Sequence, residues 1–372
     1  MTRRIAPGGA VLGSLLLCGC SAVGTPEPAC RPLEVAELPA LGALRGAWID
    51  NERFVVTDLH QSRLLVYDTS KGLEQIVHGW DTEDVNLSYR WPMDIRPWGR
   101  GFVLVDLPSR PPARLLELDG KLRPVRVAWH GDNERIDGGL EGTEVTNVFE
   151  LAVLGDSLFL QAERPTSESL PGRVYVELGT RHGSGRDDRV LAELAAWPGF
   201  EGERDSPGMV LSHLAAVGRG AGSVFALRYS NAPFIQELAG EGRSLNAFPK
   251  LPAPLPTLPQ ASSSDRSANN AAIEASSYPA GLYADEDSLY VLIRDATAQR
   301  PAWDLHRIDP EQDEVVGKLR LPTNAVHVNL LPGRRFWVLE ESGSGVDTFR
   351  TPTRLLLLSS AAIRAGEVPS CD

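Results

Sequence analysis

The chain has 372 residues, and its 49 acidic residues outnumber its 37 basic ones, which gives a formal net charge of −12 at pH 7. An acidic chain repels phosphate backbones, so we do not expect nucleic acid as a partner. Beyond the N-terminal region, no segment is apolar enough to cross a membrane.

The first twenty residues have the order of an export signal. The basic pair Arg3-Arg4 precedes an apolar run at 10–17, and the string Leu17-Cys18-Gly19-Cys20 follows. The run is shorter than the roughly 20 residues of a spanning helix, as in a cleaved secretory signal. This order resembles the lipobox of bacterial lipoproteins. The resemblance implies cleavage before Cys20 and lipidation of Cys20, which anchors the chain to a membrane.

The resemblance predicts a lipoprotein signal peptide over 1–19 and a lipid-anchored linker over 20–30. Removing 1–19 deletes two arginines and no acidic residue, so the net charge falls from −12 to −14. In such lipoproteins, an Asp directly after the lipidated cysteine favours retention in the inner membrane. This chain has Ser21 there, which favours the outer membrane, facing the periplasm or the cell surface. One alternative is a soluble secreted protein with an unmodified Cys20. The Arg3-Arg4 pair leaves twin-arginine export open, although the residues after it fit that signal poorly.

Two further cysteines remain in the mature chain, Cys30 near its start and Cys371 next to its end. An oxidising compartment allows them to form a disulfide. The alternative is two free thiols.

A strand pattern recurs six times along the chain. In each copy, a first strand is followed by a turn that is usually rich in Gly, Asn or Asp. The turn leads into a second strand of β-branched, aliphatic and aromatic residues. These second strands lie at 54–58, 102–106, 157–161, 224–228, 290–294 and 336–340. Third strands follow at 64–68, 115–119, 174–178, 234–238, 305–309 and 355–358.

Repeats of this length with about four strands each are typical of β-propeller blades. The pattern resembles six-bladed propellers of the NHL and TolB-like kind over residues 31–365. The expectation is an all-β, six-bladed propeller with mostly four-stranded antiparallel blades, forming a single domain over 31–372. Ring closure would bring the chain ends together and make Cys30–Cys371 a clasp. Two β-sandwiches, or a ring of five or seven blades, are the alternatives.

Two segments depart from the pattern. Residues 243–278 contain five prolines followed by a Ser- and Asn-rich stretch, and they predict a disordered loop, with a docking arm as the alternative. Residues 188–196 are the one helical candidate.

Two local strings suggest chemistry but have simpler interpretations. Gly155-Asp156-Ser157-Leu158 spells the motif of an esterase family, yet it lies where the other copies have a hairpin turn. Residues 132–138 loosely resemble a calcium loop, but Ile136 and Arg135 are poor ligands.

The more informative set comes from the first strand of each copy. Their middle residues are Gly46, Asp94, Glu150, His213, Gly281 and His327. Because side chains alternate along a strand, the ionisable ones are expected to face the central channel. Asp94, Glu150, His213 and His327 are therefore candidates to bind a ligand or metal, or for acid–base chemistry. The alternative is a hydrated channel lining without a site.

Four tryptophans, Trp80, Trp91, Trp98 and Trp197, lie near the loops between blades. They are expected to pack beneath those loops; the alternative is a surface that stacks sugars or binds a protein.

The sequence thus predicts a lipid-anchored binding or scaffold module at the cell envelope that recognises a protein or a small ligand. Its partners would be the membrane, through the lipid, and an envelope protein. The first alternative is a periplasmic hydrolase, lactonase or lyase that uses the ring of inward-facing residues, one from the first strand of each copy, which includes Asp94, Glu150, His213 and His327. The second is a purely structural envelope component. The pattern identifies no cofactor.

Overall fold

The computed structural model describes residues 28–39, 44–107, 113–130, 147–164, 172–178, 189–194, 213–218, 222–228, 233–238, 243–252, 276–297, 300–343, 352–367 and 371. Within these residues the chain forms six four-stranded antiparallel sheets and one short α-helix.

Five sheets use strands that follow one another in the chain. Sheet 1 contains β2 (Gly46–Trp48), β3 (Arg53–Asp58), β4 (Arg63–Asp68) and β5 (Gly72–His78), and sheet 2 contains β6 (Pro92–Trp98), β7 (Gly101–Asp106), β8 (Arg114–Leu118) and β9 (Pro124–His130). Sheet 3 contains β10 (Asn147–Leu154), β11 (Ser157–Arg164), β12 (Gly172–Leu178) and β13 (Arg189–Leu194). Sheet 4 contains β14 (His213–Val217), β15 (Ser223–Arg228), β16 (Phe234–Glu237) and β17 (Ser244–Leu245), and sheet 5 contains β18 (Tyr278–Ala284), β19 (Leu289–Asp295), β20 (Ala302–Asp309) and β21 (Glu314–Arg320).

Sheet 6 joins the two ends of the chain. It contains β22 (His327–Leu331), β23 (Phe336–Ser342) and β24 (Pro352–Ser359), completed by the N-terminal strand β1 (Cys30–Leu33). Helix α1 (Ser360–Ala365) follows β24. Cys30 and Cys371 form a disulfide with their Cα atoms 5.1 Å apart. The predicted clasp between the chain ends is therefore confirmed.

Hydrophobic packing joins each sheet to the next. One cluster lies between sheets 1 and 2, and others lie between sheets 2 and 3, 3 and 4, 4 and 5, and 5 and 6. A further cluster joins sheet 6 back to sheet 1 through Phe336, Val338, Phe54 and Val56. Second strands such as β3 are buried on both faces because a neighbouring sheet covers each face. The expected all-β propeller with four-stranded antiparallel blades is confirmed.

Two local predictions were wrong, and one element was missed. Residues 188–196 contain strand β13, which pairs with β12, so sheet pairing overrides the weak helical pattern. The predicted disordered loop 243–278 is ordered at both ends. Leu245 on β17 packs between sheets 4 and 5, and Tyr278 already begins β18. The remainder, 253–275, lies outside the described residues. Helix α1 was not anticipated.

Candidate functional site

The first strands of all six sheets surround one central cavity of about 620 Å³. Its mouth lies at the turns that follow β2 and β22, where Asn51 and Arg334 line it. Pockets that bind small molecules commonly enclose about 300–1,000 Å³. This cavity is therefore the candidate site.

The strand register decides which residue of each first strand turns inward. One apolar residue per strand packs against the preceding sheet: Ile95, Leu151, Leu214, Leu282 and Leu330. The residues immediately before these are Asp94, Glu150, His213, Gly281 and Asn329. In sheet 1, Gly46 pairs with Val56, whose side chain packs against sheet 6, so the corresponding inward position is Arg45.

The predicted alignment of the first strands was thus wrong in two sheets. Asn329, and not His327, occupies the inward position of sheet 6, and Arg45 replaces Gly46 in sheet 1. His327 is buried at the start of β22 and is not among the residues lining the cavity. In sheet 6 the shift is two residues. Residues two apart on a strand share a face, so the alternation of polar and apolar residues does not detect such a shift.

Asp94 is fully buried, and both of its carboxylate oxygens hold backbone groups. Oδ1 accepts the N–H of Ile95 at 2.9 Å, and Oδ2 accepts that of Leu151 in sheet 3 at 3.1 Å. Nη2 of Arg96 lies 3.2 Å from Oδ2. Burial raises the pKa of Asp94, and Arg96 and Arg45 offset this only in part. Asp94 therefore connects sheets 2 and 3 and is not exposed to a ligand.

Glu150 makes the corresponding contact to the next sheet. Its Oε2 accepts the backbone N–H of Leu214 at 3.0 Å. Its Oε1 lies 3.5 Å from Nη1 of Arg45 and 3.6 Å from Nδ1 of His213. Burial by itself would raise the pKa of Glu150, but Arg45 and His213 outweigh it, and the pKa is lowered. Glu150 is therefore a buried carboxylate that carries its charge.

His213 is the ring residue with unused hydrogen-bonding capacity. It is 8% exposed and lines the cavity, and its Nδ1 faces Glu150. Its Nε2 is buried without a hydrogen-bond partner among the described residues. Buried polar atoms are nearly always paired, so the unpaired Nε2 of His213 is an exception within the wall of the cavity.

Arg45 is the basic residue of the ring. Its side chain is 28% exposed and lines the cavity. Burial lowers the pKa of Arg45, but the negative charges of Glu150 and Asp94 raise it further, so the guanidinium remains a cation. The sequence alignment missed Arg45 because it precedes the recognisable strand β2.

In sheet 5 a tyrosine takes the place of the ring side chain. A Cβ on Gly281 would lie 2.5–2.6 Å from the phenol of Tyr283, so that ring occupies the space above the glycine. The Tyr283 hydroxyl accepts the N–H of Leu330 at 3.3 Å. Burial raises the pKa of Tyr283 to about 12, so the phenol keeps its proton at neutral pH.

Among the described residues, no group of three or more His, Cys, Asp or Glu side chains is arranged to hold a metal ion. The four predicted residues do not form one such group. Glu150 and His213 are neighbours in the cavity wall, Asp94 is held against Arg96, and His327 lies two positions off the ring.

The two local strings contribute nothing to the cavity. Gly155 and Asp156 form the hairpin turn between β10 and β11, where Leu154 pairs with Ser157 and Gly155 has a φ of 59°. The turn explains the esterase-like string. The calcium-like string at 132–138 lies outside the described residues.

The tryptophans divide into two kinds. Trp80 is 60% exposed and Trp91 49% exposed, on the loop from β5 to β6. The prediction that they pack beneath loops is therefore wrong. Trp98 is partly buried between sheets 2 and 3, with its Nε1 donating to the carbonyl of Asp156 at 3.3 Å. Trp197 lies outside the described residues, as does Cys20.

In the part of the chain that is described, no helix has both the length and the apolarity to cross a membrane.

No family model matches the chain, and no curated protein matches its sequence. Among solved structures it is similar to a DUF4221 family member from Bacteroides vulgatus, with a TM-score of 0.58 and 10% identity over 88% of this chain and 95% of that one. It is also similar to a putative exported protein from Bacteroides fragilis, with a TM-score of 0.48 and 10% identity over 89% and 94% of the two chains. A third similar structure is the PQQ-bound aldose sugar dehydrogenase of Streptomyces coelicolor, with a TM-score of 0.46 and 14% identity over 89% and 99%. At these identities the likeness concerns the fold alone, and the chain is an all-β propeller with four-stranded antiparallel blades.

Proposed function

We propose that this protein is an envelope-anchored binding module, a six-bladed propeller that recognises a small ligand in its central cavity. One observation carries the proposal: Nε2 of His213 is buried at the cavity wall without a partner among the described residues. An unpaired buried nitrogen costs roughly 1–3 kcal/mol, which a bound ligand recovers by supplying the missing hydrogen bond.

The acidic ring residues favour binding over catalysis. Asp94 and Glu150 already accept backbone N–H groups of the neighbouring sheets. A carboxylate held in this way stabilises the fold and cannot readily take up or release a proton during a reaction. A cavity whose acids are occupied in the scaffold is better suited to recognition.

One contact favours the catalytic alternative. The carboxylate of Glu150 faces Nδ1 of His213, which is the arrangement that orients a histidine as a general base through Nε2. In a hydrolase, lactonase or lyase, His213 would take a proton from a hydroxyl or water in the cavity. Turnover by the intact protein, abolished in His213→Asn, would favour this alternative.

The location at the envelope is supported by the N-terminal sequence and the disulfide. Disulfides persist in oxidising compartments such as the periplasm and the cell surface. We propose lipidation at Cys20 and attachment to the outer membrane. Labelling of cells with a radioactive fatty acid tests this: the wild-type protein incorporates label, and Cys20→Ser does not.

An envelope protein partner is the further part of this proposal. Trp80, Val85 and Trp91 are exposed on one loop, and exposed tryptophans are frequent hot spots of protein interfaces. The loop is held by the N–H of Tyr89 donating to the carbonyl of Gly79 at 3.0 Å and by Arg114 donating to the carbonyl of Asn86 at 2.6 Å. Crosslinking in cells with the wild type and with a Trp80→Ala/Trp91→Ala variant tests this surface. An adduct that forms equally with both would contradict it.

The test of the ligand site is native mass spectrometry of residues 21–372 purified without denaturation. We expect an added small-molecule mass on the wild type that is lost from His213→Asn. His306→Asn is the matched control, because His306 is a partly buried histidine on the third strand of sheet 5, away from the cavity lining. If neither wild-type protein nor protein incubated with a cell extract carries added mass, the binding function is wrong.

A further inference from the structure

We infer that the ligand of the central cavity is a small hydroxylated carboxylate. This inference rests on the proposed function and narrows it to one chemical class. Three features of the cavity wall lead to it: the guanidinium of Arg45, the further hydrogen-bond donors beside it, and the acceptor at His213.

Arg45 is the arginine of the cavity wall that best suits an anionic ligand, because Arg96 pairs with Asp94 at 3.2 Å and Arg334 with Glu286 at 3.1 Å. The described residues lining the cavity include three arginines and two carboxylates: Arg45, Arg96, Arg334, Asp50 and Glu150. Arg96 is occupied, since its Nε and Nη1 donate to the carbonyls of Leu151 and Gly46 at 3.0 and 2.8 Å. Among the described residues, the guanidinium of Arg45 donates from Nη1 to Glu150 at 3.5 Å, which is a long contact. Its planar fork of donors suits a carboxylate.

Two further donors lie in the same wall. The indole Nε1 of Trp48 is buried without a hydrogen-bond partner among the described residues, and Trp48 lines the cavity. The Tyr283 hydroxyl accepts from Leu330 and keeps its own hydrogen, because its pKa is raised to about 12. Arg45, Trp48 and Tyr283 therefore offer donors that an acceptor-rich ligand would use.

His213 adds the requirement for a hydroxyl group. A His213 ring with a single proton, placed on Nδ1 towards the carboxylate of Glu150, presents Nε2 as a hydrogen-bond acceptor. A carboxylate alone has no hydrogen to give to that nitrogen. A ligand that carries both groups, such as a sugar acid or another hydroxy acid, satisfies Nε2 of His213 and the donors together.

Three probes of similar size separate these requirements. Glucuronate has both hydroxyl groups and a carboxylate, glucose has hydroxyl groups without the carboxylate, and cyclohexanecarboxylate has the carboxylate alone. We would titrate each into residues 21–372 by calorimetry. Glucuronate is expected to bind at least about tenfold more tightly than either of the other two, since each loses a hydrogen-bonded group.

Variants connect the binding to the named atoms. Trp48→Phe removes one donor and keeps the ring, His213→Asn removes the Nε2 acceptor, and Arg45→Lys keeps the charge and loses the fork. Each is expected to weaken glucuronate binding by about tenfold, whereas His306→Asn leaves it unchanged. Asn already stands at the equivalent position, Asn329, of sheet 6, so His213→Asn is expected to fold. Circular dichroism of each variant checks this.

Equal binding of glucose and glucuronate would overturn the carboxylate requirement. Equal binding of cyclohexanecarboxylate, or an unchanged affinity in His213→Asn, would overturn the hydroxyl requirement. If all three probes fail while native mass spectrometry finds a mass that His213→Asn loses, the chemical class is wrong and the binding function stands. If both experiments are negative, both proposals are wrong.

Discussion

The backbone N–H of Leu214 in sheet 4 donates to Oε2 of Glu150 in sheet 3, at 3.0 Å. Leu151 makes the same contact to Asp94 of sheet 2, and Leu330 makes it to Tyr283 of sheet 5. Each donor follows the inward position of its own first strand. A first strand is the edge of its sheet, so its cavity-side N–H groups lack a strand partner. A side chain of the preceding sheet supplies one, which links neighbouring sheets around the cavity.

Glu150→Gln is expected to lower stability at pH 7 by roughly 2–4 kcal/mol, because it removes the charge that balances Arg45 in a buried site. The pKa of Glu150 is lowered from its ordinary value of 4.5. Its stabilisation is therefore fully present above about pH 4.5 and is lost as pH falls through the lower, folded value. Denaturant unfolding from pH 7 to pH 3 should show wild type and variant converging at acid pH.

The control for this change is Glu117→Gln. Oε2 of Glu117 lies 2.6 Å from Nε of Arg126, whose side chain is half-exposed. That variant is expected to change stability by less than about 1 kcal/mol at any pH in the range. A constant gap between wild type and Glu150→Gln down to pH 3 would mean that the carboxylate charge of Glu150 does not stabilise the fold.

An arginine–carboxylate pair recurs at the junction of second and third strands. Asp106 is fully buried, and its Oδ2 lies 2.9 Å from Nε and 2.8 Å from Nη2 of Arg114. Arg114→Ala would leave that carboxylate buried without its cation, held by the backbone N–H groups of Arg90 and Trp91, so we expect a loss of about 3–5 kcal/mol in chemical unfolding. Arg126→Ala, at an exposed pair of similar distance, is expected to cost less than about 1 kcal/mol. Similar losses in both variants would contradict this account.

The same pair could have been found in the sequence. Asp58 with Arg63 and Glu341 with Arg354 occupy the positions of Asp106 and Arg114 in sheets 1 and 6. In each case an acidic residue at or near the end of the second strand pairs with an arginine at or near the start of the third. Aligning these acids would have fixed the register of all three sheets. It would have brought Arg45 into the ring in place of Gly46, and Asn329 in place of His327.

The fold was easier to predict than the site, for a physical reason. Second strands such as β3 and β7 are buried on both faces, so their runs of valine, leucine and phenylalanine are visible in the sequence. By contrast, each first strand contributes one inward residue to the cavity wall. Which residue that is depends on how the first strand is aligned with the second, and this register is not visible in the sequence of the first strand alone. Tyr283 fills the position above Gly281 from two residues away, which no alignment of single positions would reveal.

The Cys30–Cys371 disulfide is expected to stabilise the ring closure. It links residues 341 apart in sequence, and in the chain-entropy model so long a loop gives about 5 kcal/mol, although measured values correlate weakly with length. A Cys30→Ser/Cys371→Ser variant should unfold at a lower temperature than the oxidised wild type. Reductant should lower the wild-type midpoint towards that of the variant and leave the variant unchanged. An equal effect of reductant on both proteins would assign the change to another cause.

Gly281→Ala tests whether Tyr283 shapes the cavity. The added methyl would lie 2.5–2.6 Å from atoms of the phenol, so the ring must move and its contact with the N–H of Leu330 is lost. We expect a loss of about 1–3 kcal/mol, as for other overpacked sites. Gly218→Ala is the matched control, because a Cβ there meets nothing within 4 Å. Tyr283→Phe separates the two effects, since it removes the hydroxyl and keeps the ring above Gly281. If Gly281→Ala is as stable as Gly218→Ala and binds ligand like the wild type, the phenol of Tyr283 does not hold the cavity wall in place.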